Sequence, residues 1–137
     1  MLNDRSVLQR TRYTSGLISI VAAATTTALF TCTGNAIYIV RKVMCRNNQG
    51  ANIQLVLGYD NLAVAWVPVM PSLTCLTGLD NEWVEAELPV AGNTVQGWTI
   101  DATPLTGWAG VIAARVSAAA AIPNDVQVTI EVEEILL

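Results

Sequence analysis

Asp80, Glu82, Glu85 and Glu87 form the densest group of ionisable side chains in this 137-residue chain. Glu85 and Glu87 would project from the same side of a strand, where paired carboxylates can serve acid/base chemistry or bind calcium. Calcium loops interleave Asp, Asn and Gly with backbone carbonyls, however, and only Asp80-Asn81-Glu82 comes near that pattern. A solvated or subunit-facing strand edge accounts for the group better than a metal site. Histidine is absent, and Cys32, Cys45 and Cys75 show no short paired spacing. That removes the commonest general base, the Ser-His and Cys-His nucleophile pairs, a zinc knuckle and a disulfide framework. The cysteines read as buried, reduced thiols. With no glycine-rich phosphate loop either, the chain is read as non-enzymatic, with no cofactor and no metal.

Two further sets of side chains could make contacts. Arg41, Lys42 and Arg46 lie on one hairpin, but three cations in a chain of net charge −4 make a poor phosphate track, so nucleic acid is not an expected partner. Residues 1–60 carry six cations against two carboxylates, and the remainder one cation against nine. This asymmetry suits head-to-tail subunit contacts or an acidic partner for the basic end; solvated faces would explain it equally. Trp66, Trp83, Trp98 and Trp108 are many for a chain with one Phe. Packing in core and rim is the favoured role, with sugar stacking or interface anchoring as the others. Trp98 and Trp108 flank glycine-containing turns and are the expected exposed pair.

The elements that must position these residues are short strands. Apolar and polar residues alternate in runs over 17–22, 26–31, 37–46, 53–59, 63–69, 83–88, 95–100, 111–117 and 126–135, with turn residues and most of the five prolines between them. Nine such runs predict an all-β fold, an antiparallel β-sandwich or jelly roll over residues 17–137. The last run puts Val126, Val128, Ile130 and Val132 on one face and Gln127, Thr129, Glu131 and Glu133 on the other, which should be wet. Ala109 to Ala121 is rich enough in alanine for a helix but lacks a helical stripe, so a strand is expected. Residues 1–16 are polar and basic and read as an extended N-terminal arm. The apolar stretch Leu17 to Phe30 is too short for the roughly 20 residues that span a bilayer. Ala22-Ala23-Ala24 imitates a signal-cleavage site, but cleavage there would remove a strand the pattern needs; no membrane is expected. Only 13% of residues are charged, against roughly 25% in ordinary domains, which suggests that much of the surface is covered by other protein.

The stretch ALFTCTGNAIYIVRKVMCRNNQGANIQLVLGY, residues 28–59, resembles the opening hairpins of small β-sandwich structural proteins of tailed-bacteriophage virions. The shared pattern is a strand ending in a Thr-containing turn, a long strand, an N-x-x-G turn and another strand. LPVAGNTVQGWTIDATPLTGWAGVIAARVSAAAAIPNDVQVTIEVEEIL resembles the closing half of that pattern. Cys32-Thr33-Gly34-Asn35 departs from it where a Pro-Gly-like turn is common, and the basic arm has no counterpart. The resemblance implies a capsid decoration or cement protein that bridges major capsid subunits. It further implies a homo-oligomer, dimer or trimer, on the virion surface after synthesis in the host cytoplasm. Arg5, Arg10, Arg12 and Tyr13 of the arm, with Arg41, Lys42 and Arg46, would face the capsid, and Trp98 and Trp108 would pack between subunits. A tail, neck or fibre-base component and a carbohydrate-binding module are the alternatives.

Overall fold

The longest strand shows how the sequence dictates this fold. Ala36, Tyr38 and Val40 are buried on alternate positions, then Val43, Cys45 and Asn47 are. The phase slips at Arg41-Lys42, where a β-bulge shifts the register so that Lys42 pairs with Glu131 but Val40 with Val132. An extra residue in one strand is what a bulge adds, and here it turns two successive cations to one face.

The computed structural model describes residues 9–32, 36–60, 66–68, 72–84, 98–101 and 110–136. In chain order the strands are β1 (Gln9–Thr14), β2 (Ile18–Ile20), β3 (Thr27–Thr31), β4 (Ala36–Asn47), β5 (Ile53–Asp60), β6 (Trp66–Pro68), β7 (Leu73–Cys75), β8 (Asp80–Val84), β9 (Trp98–Asp101), β10 (Val111–Val116) and β11 (Val126–Leu136). All described pairings are antiparallel. β11 is central in the first sheet, with β1 and β2 along one side and β4 along the other; β4 in turn carries β8 and β9. The second sheet runs β3-β10-β5, with β6 and β7 both on β5.

Taking β1 with β2, β6 with β7 and β8 with β9 as interrupted single rows, the chain has eight rows. The first sheet then reads 1-8-3-6 and the second 2-7-4-5, the double Greek-key order of a jelly roll. Gly16, at φ 77°, supplies the left-handed turn between β1 and β2, closed by Ser15, whose amide donates to the Ile130 carbonyl. The interruption between β8 and β9 is different in kind. Val84 pairs with Lys42 and Trp98 with Val40, so the row resumes beside the point where the chain left it.

Between the sheets, Val40, Val43, Val128 and Ile130 pack with Leu29, Leu55, Leu57 and Ile112 in one buried cluster. Each such side chain contributes roughly 1.5–3 kcal/mol of burial. No helix among the described residues is long and apolar enough to cross a membrane.

The all-β sandwich expectation agrees with this architecture, and Val111–Val116 is indeed strand. Several local expectations change. Residues 9–14 of the stretch read as an arm form β1, paired along β11 from Gln9↔Leu136 to Thr14↔Glu131; residues 1–8 lie outside the described residues. Tyr13 explains the docking, because its ring lies 5.4 Å from Phe30, which lies 5.9 Å from Tyr38. β7 was not anticipated, and β8 begins at Asp80, before the expected Trp83. The polar face of β11 is not wet: Thr129 and Glu133 are buried, because β11 is an interior strand and the long cations of its neighbours lie across it.

Candidate functional site

The outer face of the first sheet gathers the cations that the sequence singled out. Arg10 and Arg12 on β1, and Arg41, Lys42 and Arg46 on β4, alternate with Glu131 and Glu133 on β11 and with Asp80 and Glu82 on β8. The sign of charge therefore runs plus, minus, plus, minus across the four rows. Arg41 Nε donates to Glu133 Oε1 at 3.1 Å, and its Nη2 contacts the same oxygen. Arg10 lies 3.6 Å from Glu133 and Arg12 4.0 Å from Glu131. Lys42 bridges Glu82 at 3.5 Å and Glu131 at 3.8 Å, while Arg46 Nε donates to Asp80 Oδ1 at 2.8 Å.

Each of these ion pairs joins a cation from residues 1–60 to a carboxylate from the remainder. The charge asymmetry seen along the sequence is thus met, over this face, inside the chain. Exposed pairs of this kind contribute about 0–1 kcal/mol each. Arg41–Glu133 differs because both side chains are largely buried. Hydrogen bonding from Arg41 holds the Glu133 carboxyl below the usual carboxylate range, against the opposing effect of burial and with help from the charges of Arg41, Arg10 and Arg12.

The remaining site candidates fall elsewhere. Arg5, Glu85, Glu87 and Trp108 lie outside the described residues. Trp98 is on β9 opposite Val40. Trp83 is half-buried against the core, and Trp66 is half-buried with the Arg115 guanidinium 5.0 Å from its ring centre. Those two rings are used in packing. Asp80 and Glu82 are engaged by Arg46 and Lys42, and among the described residues no group of three His, Cys, Asp or Glu side chains could hold a metal ion.

A second feature was not visible in the sequence. Leu17, Val21, Leu76, Leu79 and Ile122 are all 43–70% exposed, and the strand register places them at the same end of the sandwich, where Ile20, Asn47, Asp80 and Val126 lie. Two buried polar side chains hold this end. Asn47 Nδ2 donates to the carbonyls of Ala51 (2.9 Å) and Cys75 (3.0 Å), and its Oδ1 accepts from the Gln49 amide at 2.8 Å. Asp125 accepts from Asn48 Nδ2 at 3.0 Å and from the Ser19 hydroxyl. These bonds, the Ser19 contact foremost, hold its carboxyl below the usual range. A groove of about 350 Å³ beside this end is lined by Leu17, Met44, Arg46, Asp80, Gln127 and Thr129. Glu82 also lines it; Asp80 is paired there with Arg46, and Glu82 with Lys42 from beside the groove.

Cys32, Cys45 and Cys75 are buried and free. Burial pushes the Cys32 thiol up to about 12, opposed by a hydrogen bond with the Ile112 backbone and reinforced by the Glu134 charge. Cys45 is pushed up through its contact with Cys75 and by burial. The thiolate is the reactive form, so the native protein should be inert to an aromatic disulfide reagent at neutral pH and release three equivalents on unfolding. A fast-reacting equivalent in the native protein would contradict this burial.

No protein-family model matches this chain, and no curated protein matches it in sequence. Among solved structures, a protein of Bacillus endospore appendages, described as forming a family of disulfide-linked pili, is similar with a TM-score of 0.51 and 12% identity. That match covers 100% of this chain and 96% of the other. Chains of infectious bursal disease virus, Gx and Gt strains, are similar at TM-score 0.51 with 14% and 12% identity, covering 93% and 94% of this chain. This chain spans about a third of the length of those viral chains, 32% and 33%. At such identities the likeness is one of fold: a jelly roll found in a pilus protein and in virus chains. None of these three is a tailed-phage protein.

Proposed function

We propose that this protein is a non-enzymatic structural subunit that works in an assembly of many copies. The observation that carries this reading is the group of five large apolar side chains exposed at one end of a charge-poor sandwich, because apolar surface gathered in one region of a domain often marks an interaction site. The whole-chain likeness to a pilus protein and the likeness to virus chains support it. Contacts in this assembly are non-covalent, since the three cysteines are inside the sandwich.

In its finer form the reading is a virion decoration protein that bridges major capsid subunits, as the phage resemblance implies. Many weakly bound copies gain strength by multivalency, and binding only to the assembled lattice stabilises it by linkage. Light scattering of the purified protein across concentration, with co-sedimentation against capsids lacking it, tests both levels. Concentration-dependent association, or saturable capsid binding, supports a structural subunit. A monomer that ignores capsids and whose tryptophan fluorescence responds to an oligosaccharide would replace this reading with sugar binding.

A further inference from the structure

We propose that copies of this chain join head to tail, the β1 edge of one pairing with the β8 edge of the next, so that the first sheet continues through the assembly. This rests on the assembly reading above and names its joint. Among the described residues no strand pairs with the outer edge of β1 or, from Asp80 to Trp83, with that of β8. The two edges carry opposite charge on the same face. Arg10 and Arg12 are 54% and 61% exposed and reach their own carboxylates only at 3.6 and 4.0 Å; Glu82 and Asp80 are 51% and 73% exposed. Set side by side, β8 and β1 extend the alternation of sign by one more step.

Strand direction agrees. With four antiparallel rows in this sheet, the β1 of a copy moved sideways without inversion runs opposite to β8, as an antiparallel ladder requires. On the inner face Tyr13, 40% exposed, comes diagonal to Trp83, within reach of a cross-strand aromatic contact. Joining like edges satisfies strand direction but fails on charge, because β1 on β1 sets arginine against arginine and β8 on β8 sets carboxylate against carboxylate. Edge charges ordinarily discourage edge pairing. Here they discourage only the symmetric kind.

The register also gives the shape. Arg12 is level with Glu133, whereas Glu82, through Met44, is level with Thr129. Placing Arg12 opposite Glu82 thus steps each copy four residues along the strand direction, roughly 14 Å at the antiparallel rise. A heterologous joint with a step builds an open, helical array and not a closed dimer.

Charge exchange between the edges tests the joint, read by light scattering with far-UV circular dichroism and thermal melts to confirm folding. The wild-type protein should form species that grow past the dimer with concentration and weaken with salt. The variants R10E/R12E and D80K/E82K should each associate at least about tenfold more weakly. Their equimolar mixture should regain association, as should the chain carrying all four substitutions. If R10E/R12E unfolds through repulsion from Glu131 and Glu133, R10Q/R12Q serves in its place and should show the same loss. Wild-type association that neither edge variant weakens, or a mixture that stays as weak as its components, would overturn this joint while leaving the assembly reading intact. A wild-type protein that stays monomeric and still binds capsids overturns the joint and supports decoration by single copies.

Discussion

Asn47→Ala should lower the stability of this protein by about 3 kcal/mol, the largest effect expected of any single substitution at the loop end. The side chain is 1% exposed and makes three hydrogen bonds, two donated to the carbonyls of Ala51 and Cys75 and one accepted from Gln49. Alanine leaves two acceptors and one donor without this partner, the Cys75 carbonyl in a buried position and the other two partly buried. Each orphaned group costs about 1–3 kcal/mol, with partial recovery where the loop relaxes. The Asn47 carbonyl also accepts from the Gly78 amide at 3.2 Å, so the turn between β7 and β8 loosens with it. Asn47→Asp is the discriminating control. It keeps shape and the acceptor for Gln49 but sets a carboxylate against two carbonyl oxygens, so it should be no better than alanine. Urea melts of the three proteins decide the matter. An aspartate variant as stable as wild type would mean that the amide donors contribute little.

Arg41→Ala should cost about 2–3 kcal/mol at pH 7, somewhat less than the roughly 3–5 kcal/mol of breaking a fully buried ion pair, because Arg10 still stands 3.6 Å from Glu133. The pH dependence is the sharper signature. In the wild type Glu133 and Asp125 are both held below the usual carboxylate range. Their stabilisation is therefore complete above the unfolded-state values, about 4, and is lost as pH falls through the folded ones. Without Arg41 the strongest influence holding the Glu133 carboxyl down is gone, and only the charges of Arg10 and Arg12 still oppose burial. The gap between variant and wild type should then close as pH falls below about 4. Arg41→Ala combined with Glu133→Gln should recover most of the loss, since no buried charge is left alone. A gap of equal size at pH 7 and pH 3.5 would show that Arg41 acts through packing of its stem and not through charge.

Which strands exist was largely legible from alternation, and β11 is the clearest case: Val126, Val128, Ile130 and Val132 are buried as their spacing predicts. What alternation cannot supply is the neighbour of each strand. That β4 lies between β11 and β8 follows from pairings about ninety residues apart to β11 and about forty apart to β8, and the wet face assigned to β11 was wrong for that reason. β1 was missed because Gln-Arg-Thr-Arg-Tyr-Thr carries a single large apolar side chain; Tyr13 and the carboxylates of β11 make it a strand, and neither effect is local. Arg41 and Lys42 were singled out as cations of one hairpin, yet the slip that turns both to one face and the acids that meet them depend on other strands. Asn47 read as an ordinary turn residue, since nothing in Asn-Asn-Gln-Gly distinguishes the asparagine that turns inward from the one that does not. The exposed leucines and isoleucine at that end, Leu17, Leu76, Leu79 and Ile122, come from three separate segments, and only the closing of the two Greek keys brings them to one place.

The return of the chain to β4 between Val84 and Trp98 gives this scaffold a socket. Both attachment points are clamped to neighbouring positions of a central strand, so the sheet does not depend on how much sequence is held between them, and loop-closure entropy rises only slowly with length. A connection made at such a point can change in length over generations while Leu55, Ile112 and Ile130 keep their places.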